Sequence, residues 1–167
     1  MLKRDKSIEL LNRAVNDELT AVHQYMYFHF RLDDMGYDLL STYFKRTAIQ
    51  EMMHVERLAE RILFLKGEVE MIPSHSVEKI HEPKAMLIKA EAMETQTIMD
   101  YNNFAKEAAE ALDSATKKLF EELIVEEEAH QDQFDTEVGN LETYGENYLA
   151  LQSIEHAKKA SAGIATT

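Results

Sequence analysis

The chain has 167 residues, 45% of them apolar, with five glycines and two prolines, a length suited to one domain with a sizeable core and a composition that favours helix. The absence of cysteine excludes disulfides, thiolate metal sites, iron–sulfur clusters and cysteine nucleophiles, so any metal is held by oxygen, imidazole or thioether. The net charge of −13 argues against nucleic acid, whose binding needs a positive footprint, and makes cations the more natural guests.

Four long helical patterns follow one another, with a shorter fifth. The first spans about Ser7 to Asp33, places Leu11, Ala14, Glu18, Ala21, Tyr25 and Phe28 on one face, and stops near Gly36. The second spans about Tyr37 to Lys66, carries Leu40, Phe44, Ala48, Glu51, Val55, Leu58, Ile62 and Leu65, and ends at Gly67. The third begins near Pro83, a residue tolerated in a first turn, and carries Leu87, Ala90, Glu94, Thr97, Ile98 and Tyr101. The fourth starts at the capping pair Asp113–Ser114 and carries Leu119, Leu123, Glu127, His130, Phe134 and Val138 toward Gly139. The fifth follows Gly145 with Tyr148, Leu149, Leu151 and Ile154, and the tail ASAGIATT after Lys159 reads as frayed. Residues 1–143 are thus expected to form a four-helix bundle, with 144–167 as a short fifth helix and tail of the same domain.

Short turns join the first helix to the second and the third to the fourth, which makes each pair antiparallel. The stretch GEVEMIPSHSVEKIHE between the second and third is long enough to traverse the bundle, leaving those two helices parallel. The expected fold is all-α, a four-helix bundle with one long crossover. No stretch reaches the roughly 18 apolar residues of a membrane span, and MLKRDKSIELLNRAV lacks the apolar run and cleavage site of a leader. A soluble, cytoplasmic protein with no membrane partner is therefore expected.

Each of the four stripes holds an acid at its middle. Glu18, Glu51, Glu94 and Glu127 all occupy positions that a 3.6-residue period assigns to the core, where lone carboxylates are costly. Two of them head the same motif, EMMH with His54 and EEAH with His130, and residues three apart project from one helix face. The set Glu18/Glu51/His54 maps onto Glu94/Glu127/His130 by a constant shift of 76 residues. Around a pseudo-two-fold axis, four carboxylates and two imidazoles make the cage of a di-iron or di-manganese centre. Two divalent ions would cancel the charge of four carboxylates. Iron is favoured because ferrous ions give electrons to oxygen or peroxide.

With these residues in view, the chain resembles a bacterioferritin of the ferritin-like superfamily along nearly its whole length, from NDELTAVHQY through RILFLKGEV and EEEAH to the fifth helix. The resemblance implies an iron-storing ferroxidase with two iron ions per chain, which oxidises Fe(II) with O2 or H2O2 and stores it as a ferric mineral. It also implies a homo-oligomeric shell of twenty-four subunits built from two-fold dimers, the fifth helix going with this large shell. A ferredoxin-type reductant for iron release belongs to the same expectation.

Two further residues take their roles from the resemblance. Tyr25 stands where the family places a tyrosine beside the di-iron centre, to supply a hydrogen bond or an electron. Met52 stands where a methionine from each chain of a two-fold dimer ligates a shared haem iron; it lies about 100° around the helix from Glu51, so it faces away from the cage. Some relatives carry a histidine and an acid just before the first Glu-x-x-His, whereas this chain has Arg46 and Gln50 in KRTAIQ, which argues against an auxiliary inner iron site. Glu126 and Glu128 read as part of a solvated acidic face pointing away from Glu127, and His23, His29, His75 and His81 as packing or surface groups. The alternatives are a rubrerythrin-like di-iron peroxidase or oxidase without a store, which the lack of a cysteine-rich electron-transfer module disfavours, and an inert haem-carrying assembly.

Overall fold

Heptads of apolar residues around four buried acids build five helices, with no strand among the described residues. The structure, a computed structural model, describes residues 3–145 and 147–164. The helices are α1 (Lys3–Asp34), α2 (Asp38–Phe64), α3 (Pro83–Glu110), α4 (Ser114–Tyr144) and α5 (Asn147–Ile164). The four long ones each extend over about 40 Å or more at 1.5 Å per residue. α1 packs along α2 and α3 along α4, while α5 rests across the α2 and α4 end of the bundle.

Three tight helix ends turn the chain. After α1, α2 and α3 the same pair of backbone bonds closes the last turn: Tyr37 N to Leu32 O with Gly36 N to Asp33 O, Gly67 N to Ile62 O with Lys66 N to Leu63 O, and Asp113 N to Ala108 O with Leu112 N to Ala109 O. The left-handed residue in these turns is Gly36 (φ 79°), Lys66 (φ 65°) and Leu112 (φ 59°). Gly67, the stop expected from sequence, is thus one residue past the left-handed position. It serves a close approach instead, since a Cβ there would meet Ile8 Cγ2 at 2.8 Å. Asp113 caps α4 through Thr116 N, and Glu82 caps α3 through Lys84 N and Ala85 N.

The connector 65–82 has its direction written into α1. Polar side chains one or two turns apart bind successive parts of the connector: Asn12 donates to Glu68 O and accepts from Glu70 N, Thr20 Oγ1 accepts from His75 N, and Gln24 donates to Glu78 O and accepts from Glu78 N. Connector and α1 therefore run in the same direction. α3 must then start at the far end, parallel to α2, which is the single-crossover topology.

Three boundaries differ from the sequence reading, the first being α1, which starts at Lys3, a turn ahead of Ser7. α4 continues through Gly139 to Tyr144, because Val138 and Leu141 still pack on the core and that burial outweighs the about 1 kcal/mol a helical glycine costs. α5 continues past Lys159 to Ile164, through an alanine-rich stretch with high helix propensity, so the start of the tail is ordered; its last three residues lie outside those described.

The core is split in two. One cluster holds Leu11, Val15, Leu58, Ile62, Tyr101, Phe104 and Phe120; the other holds Tyr25, Phe28, Leu40, Phe44, Leu87 and Phe134, with Leu149 of α5. Between them, at mid-bundle, lie the four glutamates.

Candidate dinuclear metal centre

α1 delivers Glu18, α2 Glu51 and His54, α3 Glu94, and α4 Glu127 and His130, and none of the six is more than 5% exposed. Their ligand atoms form two overlapping groups, each within 4.8 Å: Glu18, Glu51, His54 and Glu127, and Glu51, Glu94, Glu127 and His130. Glu51 and Glu127 belong to both. They are the carboxylates able to bridge two ions, while Glu18 with His54 and Glu94 with His130 each close one end.

Both imidazoles turn Nδ1 inward. His54 Nδ1 lies 2.8 Å from Glu51 Oε2 and 2.8 Å from Glu127 Oε1, and His130 Nδ1 lies 3.0 Å from Glu51 Oε1. These distances are short, yet His54 Nδ1, both Glu51 oxygens and Glu127 Oε1 have no well-directed hydrogen bond. The ring nitrogen is aimed between the carboxylates rather than at any one of them. Unsatisfied buried polar atoms cost about 1–3 kcal/mol each, and this oxygen and imidazole donor set is one that a pair of divalent ions satisfies.

The electrostatics agree. Burial first, then the charges of Glu127 and Glu51, push the Glu18 carboxyl well above its ordinary range; burial and the same two charges do so for Glu94. Burial raises Glu127 too, but the His130 and His54 imidazoles beside it outweigh that and hold it down at about 2. At His130, burial favours the neutral ring, but Glu127 and Glu51 overcome it and raise the imidazole to about 10. His54 is likewise raised by Glu127, Glu18 and Glu51 against its burial. Without metal, protons occupy the places of cations.

Tyr25, fully buried, donates from its hydroxyl to Glu94 Oε1. Tyr101, equally buried, donates to Glu18 Oε1. Each tyrosine thus reaches from one helix pair to the terminal glutamate of the other. The sequence reading placed Tyr101 in the core stripe only, although it stands 76 residues after Tyr25, the same shift that relates the ligand sets. Phe28 and Phe104, and Phe44 and Phe120, repeat at that shift too, with Tyr25–Phe44 ring centroids 5.8 Å apart and Tyr101–Phe120 5.4 Å.

Glu126 was also missed. It is half exposed, as its place on an acidic face predicts, but its Oε2 meets His54 Nε2 at 3.1 Å. Arg46 and Gln50 are exposed on α2, with Arg46 donating to Gln133 Oε1 at 2.8 Å. Met52 is outside the cage on the surface of α2, 52% exposed, beside exposed Ile49 and Met53. No helix among the described residues is long and apolar enough to cross a membrane.

Known proteins share this fold. Residues 8–144 match the ferritin-like domain. The bacterioferritin of Desulfovibrio desulfuricans is 38% identical over 154 residues, covering 89% of this chain and 83% of the relative; that of Rhodobacter capsulatus is 33% identical, covering 87% and 91%. Among solved structures, a Desulfovibrio desulfuricans bacterioferritin described by its diiron site in different catalytic states superposes with a TM-score of 0.87, covering 89% of this chain and 86% of that one, at 38% identity. A Rhodobacter capsulatus bacterioferritin with a metal-free dinuclear site and a haem iron superposes with a TM-score of 0.86 at 30% identity, covering 89% and 93%. By its fold, its buried cage and these relatives, the chain belongs to the bacterioferritins, within the ferritin-like domain family.

Proposed function

We propose that the protein stores iron, oxidising Fe(II) to Fe(III) at the cage and depositing it as a ferric mineral inside a shell of twenty-four copies. The observation that carries this reading is the set of orphaned, buried oxygen and imidazole atoms on Glu51, Glu127 and His54, within two overlapping four-ligand groups that share Glu51 and Glu127. Glu18 and His54 would hold one iron and Glu94 and His130 the other, with Glu51 and Glu127 available to both. Fe(II) held there would supply the electrons that reduce O2 or H2O2, leaving Fe(III). Tyr25 and Tyr101 fix the terminal glutamates by hydrogen bonds, which sets where each open carboxylate oxygen points. The two apolar clusters above and below exclude water from the cage.

Assembly has its own support. Leu63 and Phe64 at the end of α2, Met71 and Ile72 in the connector, and Leu151 and Ile154 on α5 are exposed in the single chain, and apolar surface on this scale calls for partner copies. Release of the stored iron requires reduction, for which a ferredoxin-type protein is the proposed donor.

Met52 fits a haem shared across a two-fold axis: its thioether is exposed and flanked by Ile49 and Met53, which offer an apolar surface to a porphyrin. Met52→Leu is expected to abolish haem binding, read as loss of the Soret band, while iron oxidation continues at the unaltered rate. Haem retained by that variant would remove Met52 as the ligand.

The reading is tested by adding Fe(II) to metal-free protein in air at increasing iron-to-chain ratios. A fast phase that saturates near two irons per chain, followed by slower uptake into a soluble shell-sized particle, is expected. Saturation at that ratio with ferric iron precipitating outside would leave the oxidation and overturn the store. Absence of a fast phase would overturn the centre.

A further inference from the structure

The two halves of the cage are alike in ligands but not in what stands behind them. His54 presents Nδ1 to the cage and its Nε2 to Glu126 Oε2 at 3.1 Å. Glu126 is held in turn by Arg57, whose Nη1 donates to Glu126 Oε1 at 2.6 Å and whose Nη2 donates to Glu122 Oε2 at 3.2 Å. A carboxylate on the far nitrogen fixes which nitrogen of the ring carries the proton and locks the ring plane, leaving Nδ1 free as a donor to metal.

His130 has no such support. Its Nδ1 contacts Glu51 and Glu127, and among the described residues no acceptor meets its Nε2. The 76-residue shift explains why. The position equivalent to Glu126 is Gln50, which is exposed, and the position equivalent to Arg57 is Gln133, which accepts from Arg46. The internal repeat therefore keeps the six ligands and both tyrosines while replacing a carboxylate and a guanidinium with two amides.

We propose that Glu126, braced by Arg57, positions His54 and makes the Glu18/His54 position the tighter of the two metal positions. This rests on reading the cage as a dinuclear centre. The ion pair itself is half solvated and contributes little to stability, so the effect is one of orientation. Metal occupies the braced end first and leaves it last, and the unbraced His130 end exchanges its ion more readily. The two positions thus have different work in turnover despite matching ligands.

The test is an anaerobic titration of the metal-free assembled protein with Co(II), followed by ligand-field absorption. The unaltered protein is expected to take up two Co(II) per chain, the first more tightly than the second. Glu126→Ala should weaken the first step about 10–100-fold, the usual cost of losing a support behind a ligand, and leave the second unchanged, so that the two steps converge. Glu126→Gln, whose amide oxygen still accepts the Nε2 proton, should recover most of the loss. His130→Ala should retain the tighter step alone. Glu126→Ala binding Co(II) like the unaltered protein, or both steps weakening equally, would overturn the role of Glu126. Glu126→Gln behaving as Glu126→Ala would do the same for orientation as its cause. Failure of the unaltered protein to bind two Co(II) per chain would overturn the dinuclear reading itself.

Discussion

Replacement of Glu51 or Glu127 by alanine is expected to abolish rapid iron oxidation while leaving a folded, assembled helical protein. Each of these carboxylates belongs to both ligand groups, so removing one empties a place at both metal positions at once. The loss should exceed the about 10–100-fold that follows from removing a mere support of a ligand. Folding should survive, because the apolar clusters on either side of the cage are untouched. Glu18→Ala, by contrast, touches one end only and should weaken one position. Stopped-flow oxidation at about two Fe(II) per chain checks the first outcome, with circular dichroism and particle size checking the second. An unchanged fast phase in either the Glu51 or the Glu127 variant would take the cage out of the reaction.

Metal binding is expected to release between about two and about four protons per chain at neutral pH. Two come from His54 and His130, both of which hold their protons well above the ordinary imidazole value, His130 up to about 10. Glu18 and Glu94 add theirs to the extent that burial and the Glu51 and Glu127 charges keep them protonated. Since each ion must displace these protons, overall affinity should rise with pH by about tenfold per unit for every proton released. Anaerobic calorimetry with a redox-inert divalent ion, in buffers of different ionisation enthalpy, counts the protons directly. Release of none would mean that the imidazoles are not ligands.

The same shifts give the metal-free protein a definite pH trend. The two histidines are raised in the folded state, so their contribution is fully present below about 6.5 and is lost as pH climbs toward about 10. Glu18 and Glu94 are raised too, so the folded form binds their protons more tightly than the unfolded one, and stability again falls as pH rises above the ordinary carboxylate range. The signs agree: alkali weakens the metal-free bundle while it strengthens metal binding.

What the sequence by itself determined is the bundle, its single crossover and the six residues of the cage. These are legible because a 3.6-residue period brings every third or fourth position to the inward face, and a glutamate falls on that face at the middle of all four helices. The repeat at 76 residues adds a symmetry that composition cannot mimic. Helix ends were less legible: Gly139 and Lys159 read as stops, but packing of Val138 and Leu141 and the alanine-rich end of α5 carry the helices on. Only the tertiary structure decided that Glu51 and Glu127 are the shared pair, that Tyr25 and Tyr101 cross to the opposite glutamates, and that Glu126 stands behind His54. Each of these is a contact between helices whose residues lie about 70 to 80 positions apart, and a helical period fixes the face a side chain occupies but not its neighbour across the bundle. That neighbour is set by how the helices are paired, and here by a connector clamped to α1 that carries α3 back to lie parallel to α2.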